Sequence, residues 1–391
     1  MALNLFDQWR RQSPYYNDSH EEWAQTVRRF VEKEVNPHIN QWEDEENVPL
    51  SLSVKAAELG IIQMGFPEEY GGITQGIDAF HGIVAGNELA QCGASGLVAA
   101  LMMHSVALVP ILKFASEEMK RRIAPEVLAG RKTMAICLTE PSGGSDLAAV
   151  KTRAAKRGNK WVLNGSKTFI SNGMRADYYT VVARTGGPGA DGLSLFLVEK
   201  GMPGFTQHKM RKMGWHCSDT ATLFFDDVEL PPENLLGPEN KGFLATVKNL
   251  NNERAGLASG ACAYARCAVE EAYEWATQRE TFGKPLIKNQ VIRHKFAEMM
   301  RHISASQALA DLMVWQMMQD KLDIGMLSLA KVQSTRTLEL VARECAQILG
   351  GACFVRGCKI ERIYRDVRPH AIGGGSEEVM LDFAARQMGF V

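Results

Sequence analysis

The sequence predicts an α+β multidomain chain, with an N-terminal α-helical domain over residues 1–128, a central β domain over 129–240 and a C-terminal helical bundle over 241–391. Three observations predict it. The chain has 391 residues, too many for one ordinary core. Its apolar residues recur with helical period in the first and last parts and with a period of two in the middle. Pro231-Pro232 and Gly237-Pro238 then punctuate the end of the middle part.

In the first part, Ser19-His20-Glu21-Glu22 reads as a capping box. Trp23, Val27, Phe30, Val31 and Val35 follow at helical spacing until Asn36-Pro37 stops them. A turn-rich loop, GFPEEYGG (65–72), precedes long apolar stretches over 78–128. In the middle part, Lys160–Leu163 and Lys167–Ile170 flank Asn164-Gly165-Ser166, which reads as a hairpin. Residues 178–184, 193–198 and 222–230 are rich in β-branched and aromatic side chains, as strands are. From Gly242 onward helical periodicity resumes with few breakers.

Composition narrows the function. Forty-four basic against forty-five acidic residues give a net charge of −1, so nothing favours nucleic acid or an anionic membrane through bulk electrostatics. The eight cysteines (Cys92, Cys137, Cys217, Cys262, Cys267, Cys345, Cys353, Cys358) form no CxxC pair and no Cys/His cluster at zinc spacing. They read as buried free thiols, and no metal site is expected. The longest apolar run, Gly96 to Leu112, contains His104, Ser105 and Pro110 and reads as a core helix rather than a membrane span. MALNLFDQWRRQSPYYND has no long apolar stretch and carries acids early, so a cytoplasmic protein is expected.

Two glycine-rich segments are candidates for ligand contact. In CLTEPSGGSD (137–146), a Gly-Gly-Ser turn after a strand exposes amides and a hydroxyl suited to a phosphate or a flavin edge; the plain alternative is a polar β-connection. In AIGGGSEEVM (371–380), three glycines run into Ser376, a good N-cap, and two acids that suit a first helical turn. Glu377 and Glu378 would repel a phosphate there, and the Gly-Lys-Ser/Thr ending of a P-loop is missing.

Seven further stretches stand in a fixed order with CLTEPSGGSD: GFPEEYGG (65–72), LNGSKTFISNG (163–173), MGWHCSDT (213–220), RETFGK (279–284), QILGG (347–351), IYRD (363–366) and the glycine loop. Together they resemble the acyl-CoA dehydrogenase family of flavoenzymes over nearly the whole chain. The resemblance implies an N-terminal helical domain, a central β-barrel and a C-terminal four-helix bundle, with noncovalent FAD between barrel and bundle. By position it implies flavin contacts from Ile136, Cys137, Leu138, Thr139, Gly144 and Ser145, with Phe169, Ile170 and Ser171 on the ring's other side. It implies that Arg279, Phe282, Gln290, Gln347, Gly350 and Gly351 hold the ADP half of FAD bound to a neighbouring subunit, so a homo-oligomer, a dimer or a dimer of dimers, is expected. Ser376 and Glu378 resemble further FAD contacts. The chain departs from the family at Cys353, usually glycine, and at Phe169, often tryptophan.

The family's reaction removes a proton next to a thioester carbonyl, which needs a carboxylate. Many members carry that glutamate in the glycine loop, at the position held here by Gly374. A subgroup with the long-chain and isovaleryl-CoA dehydrogenases carries it on the first bundle helix before an arginine. LNNER (250–254) puts Glu253 there, with Asn251 and Arg254 beside it as substrate contacts. On a helix, Leu250, Glu253, Leu257 and Gly260 share one face, so an acid interrupts an apolar stripe with Gly256, Gly260 and Ala261 leaving room. The bland alternative is a surface acid paired with a nearby cation. Glu377 and Glu378 are rivals by proximity and rank below Glu253. Gly374, with Gly375 and Ser145 as further substrate contacts, keeps a role through a backbone N–H aimed at the thioester oxygen.

The expected reaction is FAD-dependent α,β-dehydrogenation of a medium-chain, long-chain or branched acyl-CoA, with electrons passed to an electron-transfer flavoprotein. LVEKGMPGF (197–205) leans toward the isovaleryl enzyme; KNLNNER (248–254) with GGGSEEVM (373–380) leans toward the long-chain enzymes. Val98, Leu101 and Met102 are candidates to line the acyl pocket, or are plain core. An oxygen-using relative (acyl-CoA oxidase or flavin monooxygenase) and a noncatalytic flavin or acyl-CoA binding protein are the competing readings.

Overall fold

The computed structural model describes residues 3–390, without the side chains of residues 243–249, so Lys248 and Asn249 of KNLNNER lie outside the described side chains. Among the described residues nine α-helices come first: α1 (Leu5–Gln12), α2 (Asp18–Phe30), α3 (Ile39–Glu45), α4 (Leu50–Glu58), α5 (Ala79–Leu89), α6 (Ser95–Met102), α7 (His104–Ala107), α8 (Val109–Phe114) and α9 (Glu117–Leu128). Then follow β1 (Met134–Cys137), β2 (Arg153–Arg157), β3 (Lys160–Ser171), β4 (Tyr178–Arg184), β5 (Leu193–Glu199), β6 (Phe205–Lys209), β7 (Thr220–Leu230) and β8 (Leu235–Leu236). The last part is α10 (Gly242–Gln278), a short hairpin β9 (Glu280–Thr281) and β10 (Lys284–Pro285), α11 (Gln290–Met318), α12 (Ile324–Leu349), α13 (Lys359–Ile372) and α14 (Glu377–Gln387).

The capping box of α2 sits two residues earlier than the sequence suggests. Asn17 is the N-cap, its side chain accepts from the Ser19 and His20 amides, and His20 closes the box. Ser19 already lies inside α2, where its hydroxyl donates to Asn17 Oδ1 at 2.6 Å. Helix α5 repeats the device with Asp78 and His81. His20 Nδ1 accepts the Asn17 amide at 3.0 Å, which leaves the proton on Nε2 to donate to Asp78 Oδ1 at 2.9 Å. His81 Nδ1 likewise accepts the Asp78 amide at 3.1 Å. The His20–Asp78–His81 trio, which has the proximity of a metal site, is therefore committed to capping two helices and clamping them together.

The Asn164-Gly165-Ser166 hairpin does not form. Arg157 pairs with Lys160, so the β2–β3 turn falls at Gly158-Asn159, and β3 runs straight through Asn-Gly-Ser. There the register against β7 shifts between Leu163 and Gly165. Asn164 and Asp227 exchange two bonds of 2.9 Å across the irregularity. Gly165 has φ +139, and an added Cβ would lie 2.7 Å from Thr152 Cα, so this glycine serves a bulge with close backbone approach.

The strands form one sheet in the order β6-β7-β3-β2-β4-β5-β8, with β1 added on β4. Its interior is drawn from the sheet itself, including Ala135, Cys137, Trp161, Tyr179, Val181, Phe196, Leu223 and Phe225, so the sheet wraps its own core as a barrel does. The alternate residues Met134, Tyr178, Val182, Leu195 and Leu197 join the core of the N-terminal helices. Residues 95–114 are long and apolar enough by composition to cross a membrane. They are divided among α6, α7 and α8, with Leu97, Ala107, Leu108 and Ile111 fully buried in that core and Thr180 Oγ1 donating to Ala107 O at 2.9 Å. In the bundle, α10 and α12 share a core with α11 and α13 built on Ala265, Ala268, Val269, Met299, Ile303, Leu338, Ile360 and Ile363.

One buried carboxylate joins all three parts. Asp366 of IYRD, on α13, accepts the Ser95 amide at 3.0 Å, the Ser95 hydroxyl at 3.1 Å and the Trp215 amide at 2.6 Å. Burial raises its pKa to about 6 even though these donors favour the charged form. Asp366→Ala leaves buried amides from two other domains unpaired. A destabilisation of about 3 kcal/mol is expected, read as a lower urea midpoint in chemical unfolding.

Candidate active site

Glu253 lies twelve positions into α10, and the glycine loop 373–375 lies between α13 and α14. The fold brings them together. A Cβ built on Gly374 would stand 3.9 Å from Glu253 Oε1, 3.9 Å from Arg254 Cγ and 2.8 Å from Leu257 Cδ1. The two chain positions at which the family keeps its carboxylate thus open into one space, and here the helix fills it while the loop stays bare. Gly374 has φ +68 and Gly375 φ +116, dihedrals that suit glycine and let the loop backbone close on the carboxylate. On α10, a Cβ at Gly256 or Gly260 would meet nothing within 4 Å, so the room expected beside the acid is there.

The Glu253 carboxylate is half-buried. Burial raises its pKa above the ordinary glutamate range, and the positive charges of Arg254 and Lys331 oppose that rise. Arg254 is buried, donates from Nε to Gly374 O at 3.1 Å and from a terminal nitrogen to Asn251 Oδ1 at 3.2 Å, and lies 5.8 Å from the Phe383 ring centroid. Among the described side chains Glu253 has no ion-pair partner, and its neighbour Arg254 is turned to the loop carbonyl. Glu377 pairs with Arg336 at 2.9 Å, which removes it as a rival base. Glu378 is exposed in the first turn of α14, with Ser376 at the N-cap position.

The flavin-side residues divide by strand alternation. Ile136 and Leu138 are half-buried, whereas Cys137 is fully buried in the barrel core. Ile170 is likewise core, between exposed Phe169 and half-buried Ser171. Cys137 and Ile170 turn their side chains into the barrel core, which leaves their backbones available to a cofactor, because a strand sends successive residues to opposite faces. Phe169 is 67% exposed at φ +58, an aromatic left in solvent on a backbone conformation rare outside glycine. Thr139 is half-buried, Ser145 is exposed, and an added Cβ on Gly144 would lie 3.1 Å from Thr139 Cγ2. An exposed aromatic, a glycine turn and nearby hydroxyls fit a planar ligand with apolar faces and polar edges, as an isoalloxazine is.

Sequence reasoning missed what holds this loop. Lys167 is completely buried, and its ammonium donates to Leu138 O at 3.0 Å and Glu140 Oε1 at 2.9 Å. Glu140 accepts the amides of Lys151 and Thr152 at 2.7 and 2.8 Å, and the Thr168 amide donates to Thr139 O at 2.9 Å. A lysine inside an apolar strand was the available signal. Lys331 on α12, which binds the glycine loop, was missed in the same way.

Of the proposed pocket residues, Leu101 is buried core, while Val98 and Met102 are partly buried beside it, and Val98 also touches the bundle core. Arg279, Phe282, Gln290, Gln347, Gly350 and Gly351 are all exposed on the β9–β10 hairpin, the start of α11 and the end of α12, and Phe282 is wholly in solvent at φ +53.

Comparison with known proteins decides the family. Residues 17–131, 135–228 and 240–389 match the family models for the acyl-CoA dehydrogenase N-terminal, middle and C-terminal domains. The chain belongs to the acyl-CoA dehydrogenase family. It is 37% identical over 378 residues to the mitochondrial long-chain specific acyl-CoA dehydrogenase of Mus musculus, covering 95% of this chain and 87% of the relative. A probable acyl-CoA dehydrogenase from Mycobacterium abscessus matches with TM-score 0.93 at 39% identity, over 96% of this chain and 100% of that one. A glutaryl-CoA dehydrogenase from Mycobacterium smegmatis in complex with FADH2 matches with TM-score 0.91 at 30% identity, over 100% and 98%. The chain is accordingly an acyl-CoA dehydrogenase that uses FAD.

Gly374→Ala puts a methyl group into the shared space at a left-handed φ. An expected loss of about 1 kcal/mol in stability, seen as a lower Tm, should accompany a clear fall in kcat, since the methyl lies beside the carboxylate.

Proposed function

We propose that this acyl-CoA dehydrogenase acts on a medium-chain, long-chain or branched acyl-CoA, with Glu253 as the base that takes the α-proton. The observation that carries the reading is the 3.9 Å between a Cβ built on Gly374 and Glu253 Oε1. It supports a single reacting centre with a helix-borne acid and no competing loop acid. The long-chain name of the mouse relative supports the substrate class, as do half-buried Val98 and Met102 beside the N-terminal core.

Bound FAD supplies the hydride acceptor for the substrate's β-carbon. The chain's residues do the rest. Glu253, its pKa raised by burial, is matched to a weakly acidic carbon better than an ordinary glutamate would be. The Gly374 amide would donate to the thioester oxygen and stabilise enolate-like charge. Arg254 holds Gly374 O and thereby the peptide between Gly374 and Gly375. Thr139, Ser145, Phe169 and Ser171, with the backbones of Cys137 and Ile170, form the flavin face, and Lys167 fixes their loop. The exposed set around Phe282 and Gly350 fits a role in a second copy's cofactor site, so the working unit is a homo-oligomer. An electron-transfer flavoprotein would be the partner that takes the electrons from the loaded enzyme.

Glu253→Gln should keep its yellow colour and its affinity for acyl-CoA and lose turnover by about a thousandfold; a variant with native kcat removes the assignment. In the native enzyme the base works only when ionised. With a raised pKa, kcat/KM should therefore fall on acidification at a pH above the usual glutamate value of about 4.3. Anaerobic titration with isovaleryl-, octanoyl- and palmitoyl-CoA should bleach the flavin band with at least one; no bleaching with any of them favours a binding protein, and rapid reoxidation by air favours an oxygen-using enzyme.

A further inference from the structure

Lys331 is fully buried on α12. Its ammonium donates to Ala371 O at 2.9 Å and to Gly375 O at 2.8 Å, the carbonyls on either side of Gly373-Gly374. Arg254 takes the carbonyl between them, Gly374 O. Two buried cations thus gather three carbonyls from one end of α13 and the reversed loop after it. With those carbonyls drawn inward, the peptide planes that follow Ala371, Gly374 and Gly375 are set, which holds the loop before and after Gly374.

We propose that Lys331 is a positioning residue for the reaction: it clamps the glycine loop on both sides of Gly374, beside the Glu253 carboxylate, and its charge acts on that carboxylate. The proposal rests on the reading of Glu253 as the base. Charged or titratable neighbours converge on Lys331 from each side: Glu253 and Arg254 on α10, His370 on α13 and Glu377 on α14. Burial pulls the ammonium's pKa down to about 8, Glu377 and Glu253 hold it up, and Arg254 pushes it down further. His370 is buried with neither ring nitrogen partnered, and burial together with Lys331 lowers its pKa to about 4, so it is neutral near pH 7. The neighbours leave Lys331 charged at neutral pH, and that charge favours ionised Glu253. A clamp that only stabilised the helix end would lack this second effect.

The test is the pH dependence of kcat/KM and of substrate α-proton exchange into D2O, followed by NMR, in flavin-loaded Lys331→Met. The expected result is an acidic limb displaced upward by about one pH unit in both readouts, with faster hydrogen exchange in the 371–376 peptide. A uniform loss at every pH, with the acidic limb unmoved, assigns Lys331 a structural role and overturns the proposal. Should Lys331→Met fail to load flavin, Glu377→Gln replaces it. Losing that acid lets Lys331 shed its proton earlier, so the alkaline limb, expected near pH 8 in the native enzyme, should move down; an unmoved alkaline limb overturns the proposal. Failure of the Glu253 reading is separate, because it appears as native turnover in Glu253→Gln.

Discussion

Asp366 is the constraint on which the molecule is assembled. A carboxylate taken out of water must find donors, and its donors come from elsewhere: the Ser95 amide and hydroxyl at the start of α6, and the Trp215 amide between β6 and β7. Each bond is satisfied only when the helical part, the barrel and the bundle are docked. Glu43 repeats the device nearby, accepting the Cys217 amide at 3.0 Å and contacting Arg365 at 3.2 Å. The space between Glu253 and the glycine loop inherits its precision from this docking, since α13 carries both Asp366 and the start of the loop.

The site follows the same rule of buried cations meeting otherwise unpaired carbonyls. Lys167 fixes the end of β1 and the loop after it, while Arg254 and Lys331 fix the glycine loop. None of these cations is placed to react. They hold backbone in position, leaving one carboxylate, Glu253, without an ion-pair partner among its described contacts and so with a raised pKa. In the proposed role as base, such a carboxylate would act in surroundings ordered before substrate arrives.

Much of this was legible beforehand. The change of period near residue 130 and again near 242 marks real changes of architecture, because burial of one helix stripe or one strand face forces those periods. Glu253 became a candidate through the resemblance, which puts an acid before an arginine on the first bundle helix, with the stripe Leu250, Leu257, Gly260 as support. Turn chemistry was read less well. Asn164-Gly165 has the composition of a hairpin, yet cross-strand pairing with β7 carried β3 through it, and Gly158-Asn159 made the turn instead. Asn17 displaced Ser19 as cap because its side chain reaches two amides at once.

The sequence alone determined the succession of helices, strands and helices, the family, and which residue types were available for catalysis, since these depend on periodicity and local order along the chain. Only the tertiary structure decided that residues 253 and 374 share one space, that Cys137 and Ile170 turn into the barrel, and that Lys331 lies under the glycine loop. Those are relations between groups up to 121 positions apart, and a buried charge acquires its role from what surrounds it in space, which no local pattern encodes.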